Sequence, residues 1–198
     1  ALIFSSLAAY AFAKVEFKGK NFVFMLFLST MMLPTEVTII PRFMIFHKIK
    51  LYNNLMSVIL PHWFAPSAIF MLRQFFNGVP DALEESAYID GSGGDRTFVT
   101  IILPLSIPMM VTVFLFAFCW QWTDDFYTTV FFTSSGMRLM PDIIMTPKSL
   151  ETDFAAGDLY ISAIRNTCGL LVIAPLIVVY LFGQRFLVQG IERSGIVG

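Results

Sequence analysis

Residues 97–123 read TFVTIILPLSIPMMVTVFLFAFCWQWT, a run of 27 residues without an aspartate, glutamate, lysine or arginine. A helix that crosses the roughly 30 Å hydrocarbon layer of a bilayer needs about 20 mainly apolar residues, because each residue adds about 1.5 Å. This run is the longest of its kind in the chain, and it predicts a membrane-spanning helix.

The composition of the whole chain agrees with a membrane protein. Of its 198 residues, 57% are hydrophobic and only 14% are charged, and the mean hydropathy is +0.73. Soluble domains carry roughly 25% charged residues, so this chain has too few charges to cover a globular surface. The composition therefore excludes a soluble domain, a disordered chain and a disulfide scaffold. A net charge of −1 gives no reason to expect nucleic acid as a partner.

Further apolar stretches predict additional spans. Leu51–Leu72 and Asn166–Gln184 carry no acidic residue, lysine or arginine, and Asn21–Phe46 is apolar with polar residues near one end. Ala1–Ala13 is too short to cross alone, so we expect it to be the tail of a span in an N-terminally truncated chain. Prolines within the spans remove backbone donors and predict kinked helices around a cavity. The expected fold is an all-α membrane bundle with about five transmembrane helices, the first of them partial.

One loop differs from its surroundings. Val79–Arg96 reads VPDALEESAYIDGSGGDR and contains five acidic residues. Pro80 suits a first helical turn, acidic residues suit the positive end of a helix, and Gly91 suits a left-handed stop. We therefore predict a helix over Pro80–Asp90, followed by a turn in which Asp95 caps the next helix at Arg96. From these residues alone, the short helix is equally a docking element or a solvated loop helix without a partner.

The spacing of this loop resembles a known motif. Glu85-Ser86-Ala87, three residues, Gly91, nine residues and then Ile101-Ile102-Leu103-Pro104 resembles the EAA motif of ABC importer permeases, with Ser86 as the one departure. Other stretches resemble the carbohydrate-uptake branch, of the maltose or glycerol-3-phosphate type: LIFSSLAAYAFAK at 2–14, LPTEVTIIP at 33–41, RQFF at 73–76 and WQWTDDF at 120–126. The resemblance covers essentially the whole chain.

The resemblance implies a fold and a set of partners. It implies one permease domain over 1–198 with a MetI-like core, in a bacterial-type cytoplasmic membrane, with 79–96 as a cytoplasmic coupling loop. The partners would be ATP-binding cassette subunits, a sister permease and an extracytoplasmic solute-binding protein, and the solute would be a sugar or another small polar molecule. Carried over by position, the residues that couple to the ATPase are Glu85, Ser86, Ala87, Asp90 and Gly91.

The chain itself lacks the signatures of catalysis. It has no G-x-x-x-x-G-K-[ST] phosphate loop, no H-E-x-x-H and no C-x-x-C. We expect no enzyme activity, no metal and no cofactor in this chain, with ATP and magnesium held by the partner ATPase.

Candidates for the substrate path are His62, Trp122, Asp124 and Asp125. A titratable group within a span is a candidate functional residue, but His62 follows Pro61 and can equally bond a carbonyl that the proline leaves free. The tryptophan and the two aspartates can line the path or belong to an aromatic belt at the membrane surface.

The distribution of basic residues favours one orientation of the chain in the membrane. Strict alternation of spans places seven Lys and Arg on the side of the Val79–Arg96 loop and six on the other, so the positive-inside rule favours a cytoplasmic loop.

Two rival classes of protein remain. A secondary transporter or channel that works without ATP would be expected to carry a midplane charge or a polar pore ring. An intramembrane enzyme would need a catalytic pair of residues at mid-depth, and the predicted spans contain neither feature.

Overall fold

The structure, a computed structural model, describes residues 1–124, 126–132 and 159–195. Every regular element in these residues is a helix, which confirms the predicted all-α fold. In chain order they are α1 (Leu2–Lys14), α2 (Lys20–Thr30), α3 (Thr35–Lys48), α4 (Met56–Ile59), a 3-10 turn (Leu60–His62), α5 (Pro66–Asn77), α6 (Asp81–Ile89), α7 (Gly94–Thr97), a π-helical turn (Phe98–Ile102), α8 (Leu103–Leu105), α9 (Ile107–Trp122), α10 (Phe126–Phe131) and α11 (Leu159–Gly195).

The described residues divide into two compact units. The first contains 1–39, 61–117 and 183–195, and the second contains 40–60, 118–124, 126–132 and 159–182. The prediction of one permease domain over 1–198 stays a prediction.

The first unit is built on the pairing of α1 with α5. The buried face of α1 consists of Ser5, Ser6, Ala9 and Phe12, whose spacing places them on one side of the helix. Three small residues allow the two backbones to come close, which is how helices associate in membranes. The facing residues of α5 are the buried Ala68, Ile69, Leu72 and Phe76, so this pair forms a dense centre for the unit.

The second unit packs around one aromatic ring. Phe131 is fully buried, and its ring contacts those of Phe46 at 5.6 Å and Phe43 at 6.2 Å between centroids. The guanidinium of Arg42 lies over the Tyr127 ring at 5.2 Å, a cation–π contact. Thus α3 and α10 are joined within this unit by aromatic and cationic side chains.

Breaks near prolines divide three of the predicted spans. In Asn21–Phe46 the helices α2 and α3 meet at an angle of 101°. Leu51–Leu72 was predicted to be one helix, and that prediction is wrong: α4 and the 3-10 turn end at His62, and α5 begins at Pro66. Pro61 and Pro66 lack the N–H groups that a continuous helix would need. Thr97–Thr123 is also interrupted, because the helix Gly94–Leu105 and α9 meet at an angle of 76°.

A single described helix is long and apolar enough to cross a membrane by itself. It is the Ser162–Val188 part of α11, and almost none of its surface is buried. Two bent pairs pass the same test when each is counted as one span, namely α2 with α3 and Gly94–Leu105 with α9, which gives up to three spans by length and composition. Pro175 lies inside α11, which continues through it.

Candidate functional site

The acidic loop does form a helix, α6. Sequence analysis predicted Pro80–Asp90, and the structure has Asp81–Ile89, with Pro80 at the N-cap and Asp90 at the C-cap. The reason is local chemistry: Pro80 ends the preceding turn with ψ 131°, and the first turn then contains Asp81 and Glu84 beside the positive end of the helix. The prediction of this helix is confirmed to within one residue at each end.

The end of α6 is fixed by Gly91. Its φ is +79°, a left-handed conformation that side chains rarely adopt. Its N–H donates to the Tyr88 carbonyl at 3.0 Å, and the N–H of Ser92 donates to the Ala87 carbonyl at 2.9 Å. This pair of hydrogen bonds is a Schellman motif. The predicted left-handed stop is confirmed, whereas its role in coupling stays a prediction.

The turn after Gly91 differs from the predicted one. The next helix begins at Gly94, and Asp95 makes no side-chain cap, so the prediction that Asp95 caps a helix at Arg96 is wrong. Gly93 takes the N-cap position in an extended conformation, φ −77° and ψ 164°, and its carbonyl accepts the Thr97 N–H at 2.9 Å. The glycine backbone thus fills the position that a capping side chain was expected to serve.

Most of the candidate coupling residues are available at the surface. Glu85, Ser86 and Asp90 are exposed, and Ile89 beside them is 87% exposed. Ala87 is buried and therefore lies on the packed side of the helix. Chemically, α6 presents a short surface that combines carboxylates with an apolar side chain, which suits docking to a basic and partly apolar groove.

A lysine from α1 holds the start of α6, and sequence analysis did not single it out. The Lys14 ammonium donates to Asp81 Oδ1 at 2.6 Å and to the Val79 carbonyl at 2.8 Å, and it lies 3.6 Å from Glu84 Oε1. The hydrogen bond and the charge of Lys14 lower the pKa of Asp81. The opposite charges are visible in the sequence, but no local pattern pairs residues 67 positions apart.

Two of the substrate-path candidates have structural partners. The Trp122 indole N–H donates to the Val172 carbonyl at 2.9 Å, and its ring stacks on Phe118 at 5.5 Å. Asp124 accepts the Tyr127 N–H at 3.3 Å and so caps α10. These contacts favour a packing role for the Trp122 indole and a capping role for one oxygen of Asp124. An aspartate just before a short helix is the signal that could have identified the cap.

The structure defines the surroundings of the other two path candidates less fully. His62 is half-buried at the end of the 3-10 turn, and Asp125 lies outside the described residues. Within the ranges that the structure describes, no group of three His, Cys, Asp or Glu side chains could hold a metal ion. Among the described residues, we therefore take the surface of α6 and its attachment to α1 as the candidate functional site.

Comparison with known proteins gives a match over most of the chain. Residues 1–193 match the family described as binding-protein-dependent transport system inner membrane component. The arabinooligosaccharides transport system permease protein of Halalkalibacterium halodurans is 32% identical over 200 residues, which cover 100% of this chain and 68% of that protein. The sn-glycerol-3-phosphate transport system permease protein of Yersinia pestis is 32% identical over 198 residues, covering 96% of this chain and 66% of that one.

A solved structure shares the fold. A chain from the crystal structure of a bacterial ABC transporter involved in the import of the acidic polysaccharide alginate matches with a TM-score of 0.73 and 17% identity, over 94% of this chain and 71% of that one. At that identity the likeness concerns the fold. The chain spans about two thirds, 63–70%, of the length of the curated relatives that it matches first. The family match over nearly the whole chain is decisive: this chain belongs to the binding-protein-dependent transport system inner membrane components.

Proposed function

We propose that this chain is a multi-pass permease subunit of a binding-protein-dependent ABC importer in the cytoplasmic membrane. The observation that carries the proposal is α6, a short, exposed, acidic helix that ends on a left-handed glycine at the spacing of the EAA motif. The family match over residues 1–193 supports the same assignment.

In this proposal α6 docks into a cytoplasmic ATPase. Glu85 is exposed and pairs with a basic residue of the partner, while the neighbouring Ile89 supplies apolar contact. The charge pair fixes the orientation of the docked helix, since complementary charges give an interface its register. ATP and magnesium are held by the ATPase, and this chain hydrolyses nothing itself.

The other partners complete the transport cycle. A sister permease and an extracytoplasmic solute-binding protein deliver and enclose the solute, and movement of α6 with the ATPase switches the bundle between inward- and outward-facing states. The bent helix pairs of this chain suit such a bundle, because broken helices line cavities in transporters.

The solute class is a sugar or a related small polar molecule. The two relatives described above are named for the transport of arabinooligosaccharides and of sn-glycerol-3-phosphate. Both of these solutes are rich in hydroxyl groups. We infer the class from these names and leave the individual solute to the experiment.

The test is uptake into vesicles. The chain is reconstituted with its sister permease, its ATPase subunits and its binding protein, and the accumulation of a panel of labelled pentose and hexose oligosaccharides and glycerol phosphate is measured. Accumulation that occurs only when ATP is supplied to the ATPase subunits supports the proposal. Accumulation driven by an ion gradient without ATP would assign the chain to secondary transporters instead.

A further inference from the structure

The start of α6 contains an unusual burial of charge. Only two residues of this helix are buried, Glu84 and Ala87, and the Glu84 side chain is 10% exposed. Its partner Lys14 is 8% exposed at the side chain. Burying a carboxylate and an ammonium is unfavourable unless they face each other, so the position of one fixes the position of the other.

The Lys14 ammonium reaches three successive parts of the loop. It contacts the carbonyl of Val79 before the helix, Asp81 at its first residue and Glu84 one turn later, at 2.8, 2.6 and 3.6 Å. Two of these contacts are within hydrogen-bond distance, and the third is a charge contact. Glu84 Oε1 is buried and has no hydrogen-bond partner among the described residues, so Lys14 is the cation placed to balance it.

The base from which Lys14 extends is firmly packed. The last turns of α1 lie on α5 through Phe12, whose carbonyl accepts the Arg73 Nε–H at 3.1 Å. One turn before Lys14, the Tyr10 ring packs on Phe98 at 4.7 Å. The start of α6 is therefore attached to a helix, α1, that is itself packed on its neighbours.

We propose that Lys14 is a positioning residue for energy coupling, which holds α6 to α1 so that a displacement of α6 moves α1 and the α5 packed on it. The proposal rests on the proposed function, since it requires α6 to be the element that the ATPase moves. It adds a specific route into the bundle, through the ammonium of Lys14 and the carboxylates of Asp81 and Glu84, which the motif residues do not include.

The experiment compares variants of the assembled importer in vesicles and measures the ATP hydrolysed per solute transported. Lys14→Met removes the ammonium but keeps the length of the side chain. We expect the ratio to rise about two- to thirtyfold, which is the size of effect typical of residues that modulate coupling between sites. Lys14→Arg keeps the charge and the donors, and we expect it to restore most of the coupling. Lys18→Met is the matched control, because Lys18 is an exposed lysine just after the end of α1 and makes no ion pair within the described part of the chain.

A double variant separates positioning from stability. Lys14→Met combined with Glu84→Met replaces the buried pair by apolar side chains, an exchange that is often neutral for stability. If Lys14 positions α6, the double variant melts at the wild-type temperature and stays uncoupled. If its coupling returns together with its stability, or if Lys14→Met keeps the wild-type ratio, the proposal is wrong.

Failure of the proposed function would give a different result. Co-purification of the ATPase with the wild-type chain is measured first. If the wild-type assembly shows no ATP-dependent uptake, the importer assignment itself is rejected. With wild-type uptake intact, only the Lys14 variants decide the positioning role.

Discussion

Replacing Gly91 is the most informative change to the Val79–Arg96 loop under the proposed function. The structure places Gly91 at φ +79°, and a Cβ added there would meet no atom within 4 Å. Steric contact with the rest of the protein therefore contributes nothing to the requirement for glycine. Only the backbone conformation does, which makes the expected cost simple to estimate.

Two outcomes are open to a side chain at this position. It can keep the left-handed conformation at a cost of about 1–2 kcal/mol, or the turn can rearrange and lose two hydrogen bonds, Gly91 N–H to Tyr88 and Ser92 N–H to Ala87. Those bonds contribute about 0.5–1.5 kcal/mol each, so rearrangement costs about 1–3 kcal/mol in total. Alanine should therefore mostly keep the turn, while the β-branched Gly91→Val should rearrange it and tilt α6.

The assay measures transport and ATP hydrolysis side by side in reconstituted vesicles. We expect coupling to fall in the order wild type, Gly91→Asn, Gly91→Ala, Gly91→Val, because asparagine tolerates the left-handed region better than other side chains do. ATPase co-purification should survive, since the exposed face of α6 is unchanged. Gly93→Ala is the matched control: Gly93 is extended and has open space around it, so its effect should be small. Full transport by Gly91→Val, or an equal loss in Gly93→Ala, would refute the reasoning.

Three further predictions follow from the structure. Glu85→Lys should abolish co-purification of the ATPase, since truncating one member of an interfacial charge pair costs about 2–5 kcal/mol, and Glu85→Gln should be intermediate; binding of Glu85→Lys at wild-type yield would contradict docking through this residue. In a cysteine-free background, a cysteine at Ser92 should be protected from an impermeant thiol reagent in intact cells. A cysteine at Ser149, which lies outside the described residues and which the predicted alternation of spans places on the opposite side, should be labelled; the reverse pattern would invert the topology. Gly183→Ala should lower the melting temperature, because its Cβ would lie 2.5 Å from a methyl group of a buried leucine and overpacking costs about 1–3 kcal/mol; Gly169→Ala, which meets nothing within 4 Å, should be neutral or slightly stabilising, and equal effects would show that the close approach is unimportant.

Local signals in the sequence predicted the helix of the Val79–Arg96 loop well. Pro80, the acidic first turn and Gly91 act within a few residues of one another, so α6 was predicted to within one residue at each end. The N-cap of the next helix was mispredicted as Asp95, whereas Gly93 occupies it. Several residues of that turn can each fill the N-cap position.

Features that depend on distant contacts were beyond sequence reasoning. No local signal pairs Lys14 with Glu84, because the contact joins two helices that are far apart along the chain. Trp122 read as a path or belt residue, whereas its indole bonds the backbone at Val172, 50 positions away. The Leu51–Leu72 span was predicted from its lack of acidic residues, lysine and arginine, with its prolines expected only to kink it. The structure has separate helices there, because the break is complete between His62 and Pro66.

The central claim is that α6 is the surface on which the ATPase acts, and cross-linking tests it most directly. A single cysteine replaces Ile89, which is 87% exposed on α6, in a cysteine-free chain within the assembled membrane complex. A short bifunctional thiol reagent should join this residue to the ATPase subunit, and a cysteine at Ser149 should give no such product. Absence of the product at Ile89, together with cross-links to the ATPase from another loop of the chain, would contradict the account.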